Sequence, residues 1–490
     1  MNDDDRLLAH VRPDGWRNPE PAAIYDLVAI GGGTAGLVSA VGAAGLGARV
    51  ALVERALLGG DCLHTGCVPS KALLRAARAV HEARTAAAVG VRMTLQVDFP
   101  AVMASVGARR ADLAPHDSAA RLASRGVDVF FGEASFAGAH SVTVDGRILR
   151  FRRAVIATGG RPSIPPIAGL DAVRYLTSEN VFSLTEQPRT LLVVGGGAVG
   201  CELAQAFALL GTAVTLVEAG PRVLPNDDAE AAEILQRRLT EDGVRVMTDL
   251  SVRDIARQPG GGVAGRLDGG TFAADAVLVA AGRSPRVEGL NLEAAGVEYG
   301  AKGIRVDDWL RTSNHDIFAA GDVCSRFNFT HAADAMARIV VQNALFPSRR
   351  RASALVIPWA TYTLPEIAHV GLSPADAVRS GAERITIPLT DVDRAVIDGE
   401  AEGFLRVHHH RGRVVAATMV GPHAGELIGQ MASLMRRRGS LADLSAEIFP
   451  YPTVADALRK AGDACRRTRL TPRVREVLRR YFALRRRSGT

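Results

Sequence analysis

Ile24-Tyr25-Asp26-Leu27-Val28-Ala29-Ile30-Gly31-Gly32-Gly33-Thr34-Ala35-Gly36 runs an apolar strand straight into a glycine-rich turn. A helical pattern follows to about Gly45, and a second strand, Val50-Ala51-Leu52-Val53, ends at Glu54. Gly31, Gly33 and Gly36 permit the tight turn and let a pyrophosphate approach the helix N-terminus, and the closing acid takes a ribose hydroxyl. A Gly-x-Gly-x-x-Gly triplet alone is weak. Strand, turn, helix, strand and acid in this order make a dinucleotide-binding unit.

The unit occurs twice. Leu191-Leu192-Val193-Val194 leads to Gly195-Gly196-Gly197-Ala198-Val199-Gly200, and Val214-Thr215-Leu216-Val217 ends at Glu218. Every element is displaced by 164 residues, so Gly195, Gly197, Gly200 and Glu218 repeat Gly31, Gly33, Gly36 and Glu54. Two such units in one α/β chain imply two dinucleotides.

Just after the first unit stands Gly59-Gly60-Asp61-Cys62-Leu63-His64-Thr65-Gly66-Cys67-Val68-Pro69-Ser70-Lys71. Five steps of ideal helix would hold the two cysteine Cα atoms about 7.5 Å apart. A disulfide needs about 4.4–6.8 Å, so the chain must bend between them, and Gly66 permits the bend. Strained bridges are the reducible ones. Pro69 suits a first helical turn, which puts Cys67 near a helix N-terminus where the dipole favours a thiolate. A structural disulfide or a zinc half-site is the alternative. The gap is not that of a Cys-x2-Cys knuckle, and Cys201, Cys324 and Cys465 are scattered singly. The pair reads as redox-active.

Composition narrows the class. With 490 residues and 47% hydrophobic content, the chain is expected to be globular with two to four domains. It has no apolar run of 18 residues and hence no expected membrane span. Met1-Asn2-Asp3-Asp4-Asp5-Arg6 is acidic and leads into no apolar segment, so no secretory signal is expected. Few cysteines suit a reducing cytoplasm. The net charge of +7 comes almost wholly from arginine, Lys71, Lys302 and Lys460 being the only lysines. Beside heavy Ala and Gly use, that bias reads as genome composition rather than a nucleic-acid surface.

The Cys-x4-Cys-Val-Pro-Ser-Lys stretch resembles the active-site segment of the class I pyridine nucleotide–disulfide oxidoreductases, and the resemblance extends over about residues 24–465. Gly132-Glu133-Ala134-Ser135-Phe136 is similar to the family's adenine-contacting segment. Val155-Ile156-Ala157-Thr158-Gly159-Gly160 and Val277-Leu278-Val279-Ala280-Ala281-Gly282-Arg283-Ser284-Pro285 resemble its two crossovers. Ile317-Phe318-Ala319-Ala320-Gly321-Asp322-Val323 resembles the strand whose aspartate holds the flavin's ribityl chain. Thr363 to Gly371 and Gly421 to Ile428 resemble landmarks of its dimerisation domain.

The resemblance implies two Rossmann-like domains, for FAD and for NAD, plus a C-terminal α+β dimerisation domain. The expected layout is an irregular N-terminal extension (1–22), an FAD domain (23–160 and 286–350), an NAD domain (161–285), a dimerisation domain (351–465) and a basic C-terminal helix (466–490). It assigns Gly31, Gly33, Gly36, Glu54, Gly60, Lys71, Ala134, Thr158, Gly159, Arg283 and Asp322 to FAD, and Gly195, Gly197, Gly200, Glu218 and Gly282 to NAD. Glu218 favours NADH, because a carboxylate repels a 2′-phosphate; Arg222 nearby keeps NADPH open. Cys67 would be the thiolate held against the flavin, and Cys62 the interchange thiol. Lys71, one turn beyond Cys67, is expected to pair with Glu202. No structural metal ligand is expected.

Disulfide-reducing members carry a histidine, held by a glutamate, in His-x-His-Pro-Thr-x-x-Glu from the neighbouring subunit. Here Phe449-Pro450-Tyr451-Pro452-Thr453-Val454-Ala455-Asp456 has Tyr451 for the histidine and Asp456 for the glutamate. A missing general acid–base costs about 10²–10⁴-fold. Mercuric reductases also carry Phe-Pro-Tyr here, since a thiolate-bound metal needs no proton on a departing sulfur. The expectation is thus a mercuric reductase-like homodimer with Tyr451 facing Cys62 of the partner, and a metal-ion or small-molecule acceptor. Departures remain: Asp61, His64 and Thr65 replace the commoner Thr, Asn and Val, and no Cys-x2-Cys delivery domain or vicinal C-terminal cysteine pair is present. The alternatives are a disulfide reductase using His423 or Tyr451 as proton donor, and a redox flavoprotein docked at a membrane. In Pro472 to Arg487, Val474, Val477, Leu478 and Tyr481 recur at helical spacing opposite arginines. Packing on the protein's own surface is the preferred reading of that helix, membrane-surface contact the other.

Overall fold

The structure is a computed structural model that describes residues 2–487. The chain forms two compact units. One comprises Met1–Val223 and Leu239–Leu355; the other comprises Leu224–Arg238 and the chain from Val356 onward.

In the first unit, Tyr25–Ile30 lies between Val50–Glu54 and Arg147–Ile156, all parallel. Val127–Phe131 extends one side, and Ile317–Ala319 pairs with Arg147–Ile156 on the other. An antiparallel meander, Ala134–Gly138 and Ser141–Val144, completes the sheet. Strands buried on both faces read as continuous apolar runs, which is why Val50–Glu54 is buried along its whole length. The helices Thr34–Gly45 and Thr330–Leu345 pack closely through small residues, among them Ala35, Ala40, Ala333 and Ala337.

The second Rossmann-like sheet is also parallel, in the order Arg245–Met247, Ala213–Val217, Thr190–Val194, Ala276–Val279. A three-stranded antiparallel sheet, residues 252–274, is inserted in the same module between Arg245–Met247 and Ala276–Val279. The two crossovers pair with each other, Gly160–Pro162 against Arg283–Pro285.

The second unit is a five-stranded antiparallel sheet ordered Pro358–Thr361, Glu366–Gly371, Arg413–Gly421, Phe404–His410, Glu383–Pro388. Leu405, Val407, Ala417 and Met419 meet Met431 and Leu458 of its helices in the core. Leu224–Arg238 belongs here because buried Arg406 donates to both carboxylate oxygens of Asp228 at 2.8 Å, and Trp359 Nε1 donates to Asp227 at 2.8 Å. No sequence motif announces this attachment.

Two expectations are corrected. The N-terminal extension is not irregular throughout: Asp3–Val11 is a helix whose Asn2 and Asp5 form a capping box, with Leu7 and Val11 buried. The breakers begin only at Pro13, and three acids in the first turn complement the helix dipole. At the other end, the helix Pro472–Arg487 forms but does not bury its apolar face on the protein; Val474, Val477, Leu478 and Tyr481 are all exposed.

Candidate active site

Each glycine turn is fixed by backbone crowding. A Cβ on Gly36 would lie 1.8 Å from the Gly31 carbonyl oxygen, and one on Gly200 would lie 1.9 Å from that of Gly195. Gly31 and Gly195 themselves sit at φ +107° and +110°, conformations that exclude ordinary side chains. Gly33 and Gly197 differ: each caps its helix without a side-chain bond, and a Cβ on Gly197 would meet nothing within 4 Å. The protein's own packing does not require glycine at Gly197. Bare glycine there leaves the first helical N–H groups open to an anion, as a pyrophosphate needs. In the first module, Gly33 is pressed by Gly60, where a Cβ would lie 2.6 Å from the Gly33 Cα.

Both closing acids are gripped by their own turns. Glu54 accepts hydrogen bonds from the Gly32 and Ala56 amides at 2.6 Å each. Glu218 accepts from Gly196 at 2.6 Å and Gly220 at 2.7 Å. Burial raises the pKa of Glu54. The Gly132 amide donates to the Glu54 carbonyl at 3.0 Å, bringing Ala134 to the same edge. These donors, acids and open helix ends fit two dinucleotides.

The dithiol stretch is two helices with a break. Gly59, at φ +101°, opens the short helix Gly60–His64 that carries Cys62. The chain turns at Thr65 and Gly66, and Cys67 begins the helix Cys67–Thr85. Both cysteines are free thiols. The Cys67 Sγ lies 3.3 Å from the Thr330 hydroxyl. Hydrogen bonding from Cys62 draws the pKa of Cys67, whose side chain reaches the surface, down to about 6, with Thr330 and Lys71 acting the same way. Cys62 shifts upward, first through its bond to Cys67 and then through burial. One proton shared between the two thiols therefore stays on Cys62. Lys71 Nζ donates to Glu202 at 2.8 Å, joining the dithiol helix to the helix Ala198–Leu210 of the second module.

Beside the dithiol, Arg283 Nε donates to Asp322 at 3.0 Å, and its Nη2 reaches both Asp61 and the Gly160 carbonyl. Burial raises the Asp322 pKa. Thr158 Oγ1 donates to the Arg286 carbonyl at 2.7 Å, and the Arg286 amide donates to Gly159. Gly282 sits at φ +108° just before Arg283. Thus Asp61, noted in sequence only as a departure, is the carboxylate that ties the cysteine loop to the crossover. Thr330 carried no motif; only its place as first residue of a helix shortly after Asp322 could have marked it.

The C-terminal residues are arranged differently from expectation. Tyr451 is 73% exposed, and its hydroxyl donates to Asp393 at 2.7 Å. Asp456 is engaged elsewhere, with Arg459 at 2.7 Å and Lys460 at 3.5 Å. It begins the helix Asp456–Thr468, where i+3 and i+4 basic residues are its nearest partners. Asp393, not Asp456, holds the tyrosine. His423 is exposed at the start of the helix Ala424–Arg436.

Residues 25–337 match the family described as pyridine nucleotide-disulphide oxidoreductase, and residues 357–462 match its dimerisation domain. The chain belongs to the pyridine nucleotide-disulphide oxidoreductases. Members of this family use FAD and a pyridine nucleotide, and bound FAD supplies hydride acceptance and two-electron transfer to a disulfide. The chain is 34% identical to a mercuric reductase of Bacillus cereus over 93% of its own length and 74% of that protein's. It is 35% identical to a mercuric reductase of Streptomyces lividans (89% and 95%) and 34% identical to a dihydrolipoyl dehydrogenase of Thermus scotoductus (90% and 97%). Among solved structures it resembles the HOCl-induced flavoprotein disulfide reductase RclA of Escherichia coli, in a Cu(II) complex. The TM-score is 0.80 at 28% identity, over 89% of this chain and 98% of that one. The protein is a flavin disulfide reductase-type oxidoreductase. Among the described residues no helix is long and apolar enough to cross a membrane.

Proposed function

We propose that this oxidoreductase passes electrons from NADH, through FAD and the Cys62–Cys67 pair, to a thiophilic metal ion. Tyr451 carries the reading. It stands where disulfide-reducing members hold a histidine, and its phenol, bonded to Asp393, is a poor proton donor near neutral pH. The similar mercuric reductases and the Cu(II)-complexed neighbour support the same acceptor class.

In this reading the Cys62–Cys67 disulfide accepts the electron pair and Cys67 is left as the thiolate, stabilised by Thr330, Lys71 and its helix N-terminus. Lys71, paired with Glu202, holds a positive charge beside it. Cys62 keeps the proton until substrate arrives, then exchanges it for the metal. Metal binding by two thiolates releases that proton to solvent, so no general acid is needed. Glu54 and Asp322 orient the flavin nucleotide, and Glu218 selects NADH. The active unit is a homodimer in which Tyr451 of one subunit faces Cys62 of the other. The layout 23–160 with 286–350, 161–285 and 351–465 serves as FAD, NAD and dimerisation domains, except that Leu224–Arg238 packs in the C-terminal unit.

Steady-state NADH oxidation against Hg(II), lipoamide, glutathione disulfide and a quinone tests this. Hg(II) should be turned over at least about 10²-fold faster than either disulfide. Fast lipoamide turnover would overturn the metal reading and favour a dihydrolipoyl dehydrogenase.

A further inference from the structure

The net charge is not spread over the molecule. Ten of the 59 Lys and Arg residues, but one of the 52 Asp and Glu residues, lie after Cys465. These 25 residues therefore carry +9, and the preceding 465 carry −2. Seven of these arginines lie on the helix Pro472–Arg487, Arg469 in the turn before it, and Arg466 and Arg467 in the last turn of the preceding helix Asp456–Thr468. Arg479 and Arg480 both reach Glu476, the single acid of the helix.

The same helix displays an apolar face. Val474, Val477, Leu478, Tyr481, Phe482 and Leu484 are all exposed, Val477 and Leu484 to 65%. At about 100° per residue these six fall within an arc of roughly 160°. Arg473 and Arg475 flank the arc, Arg479, Arg480 and Arg486 lie outside it, and Arg485 falls inside it beside Tyr481. The least exposed positions, Glu476 and Ala483, are on the opposite side, so the apolar arc is turned away from the protein. Tyr481 and Phe482 meet edge-on at 5.3 Å, and Arg485 lies over Tyr481 at 6.0 Å, grouping aromatic rings with a cation.

We propose that this helix docks the enzyme on an anionic lipid surface, its apolar arc at the acyl boundary and its arginines among the headgroups. The charge selects this occupant. A second copy of the helix would bring two sets of arginines together, whereas an anionic headgroup layer neutralises both flanks. An electrically neutral apolar partner leaves the +9 segregation unexplained. The proposal stands apart from the choice of electron acceptor.

The full-length FAD-loaded protein is sedimented with vesicles of about 70:30 phosphatidylcholine to phosphatidylglycerol and with pure phosphatidylcholine vesicles. Affinity for the anionic vesicles should be at least about tenfold higher, and should fall steeply as salt screens the arginines. Val477→Asp with Leu484→Asp, at positions outside any core, should abolish binding with NADH oxidation unchanged. Arg479→Glu with Arg480→Glu should weaken it. Equal binding to both vesicle types, or none, overturns the proposal. So does a full-length dimer that becomes monomeric on removing residues 472–490, which would give the apolar arc to a second copy.

Discussion

The two dinucleotide modules share a backbone and part company after their acids. In the first, Leu58 closes over the turn: a Cβ on Gly32 would lie 2.7 Å from the Leu58 side chain, and Glu54 is 9% exposed. The chain then runs directly into Gly59 and the dithiol helices. In the second, Ala219 and Gly220 follow the acid and Glu218 stays partly exposed. A cofactor that remains bound suits the closed module, and one that must enter and leave suits the open one. The glycine turn selects the ligand class; the residues following the acid decide how tightly the site is shut.

Breaking the outlet of the first module should have the largest effect. Cys67→Ser is expected to lower acceptor turnover by about 10³-fold or more, while flavin reduction by NADH persists in stopped-flow traces. Loss of flavin reduction itself would place the defect in the modules instead. The next contrast is between paired glycines. Gly36→Ala and Gly200→Ala each force a Cβ into a carbonyl, costing about 3 kcal/mol of local packing. The first should lose FAD on gel filtration; the second should keep FAD and lose NADH binding. Gly197→Ala, with open space around it, should fold normally and weaken only the nucleotide.

Severing the link between the modules ranks lower. Lys71→Met leaves Glu202, 6% exposed, without its cation. The lysine itself is 37% exposed, so the cost should be about 2 kcal/mol, read from denaturant unfolding. The pH dependence refines the same point. With its pKa lowered to about 6, Cys67 stays thiolate above that pH and is protonated as pH falls through it. The thiolate–flavin absorbance of the two-electron-reduced enzyme should disappear with a midpoint near pH 6. Thr330→Val and Lys71→Met should each move the midpoint upward; an unmoved midpoint would remove both groups from the thiolate's environment. The smallest expected effect is donor choice. NADH should exceed NADPH in kcat/KM by about tenfold, roughly 1.4 kcal/mol, and Glu218→Ala should narrow the ratio.

Much of this was legible because the responsible features are local in sequence. Strand, turn, helix and acid follow one another within about thirty residues in each module, whereas the Lys71–Glu202 pair, 131 residues apart, came only from the family resemblance. The partner of Tyr451 was not legible in sequence: Asp456, in the glutamate's place, is claimed by its i+3 and i+4 neighbours, and Asp393 arrives from a distant segment. The N-terminal helix is short, and Pro13, Pro19 and Pro21 dominate the segment's composition, whereas its signal lies in the Asn2–Asp5 capping box alone.

The sequence by itself determined the two modules and the cysteine pair, since each rests on backbone conformation and periodicity written in neighbouring residues. Only the tertiary structure decided that Thr330 meets Cys67, that Asp61 grips Arg283 beside Asp322, and that Arg406 holds Asp228. Those contacts join residues far apart in the chain, and a hydrogen bond or ion pair depends on distance in space, which residue order alone does not set.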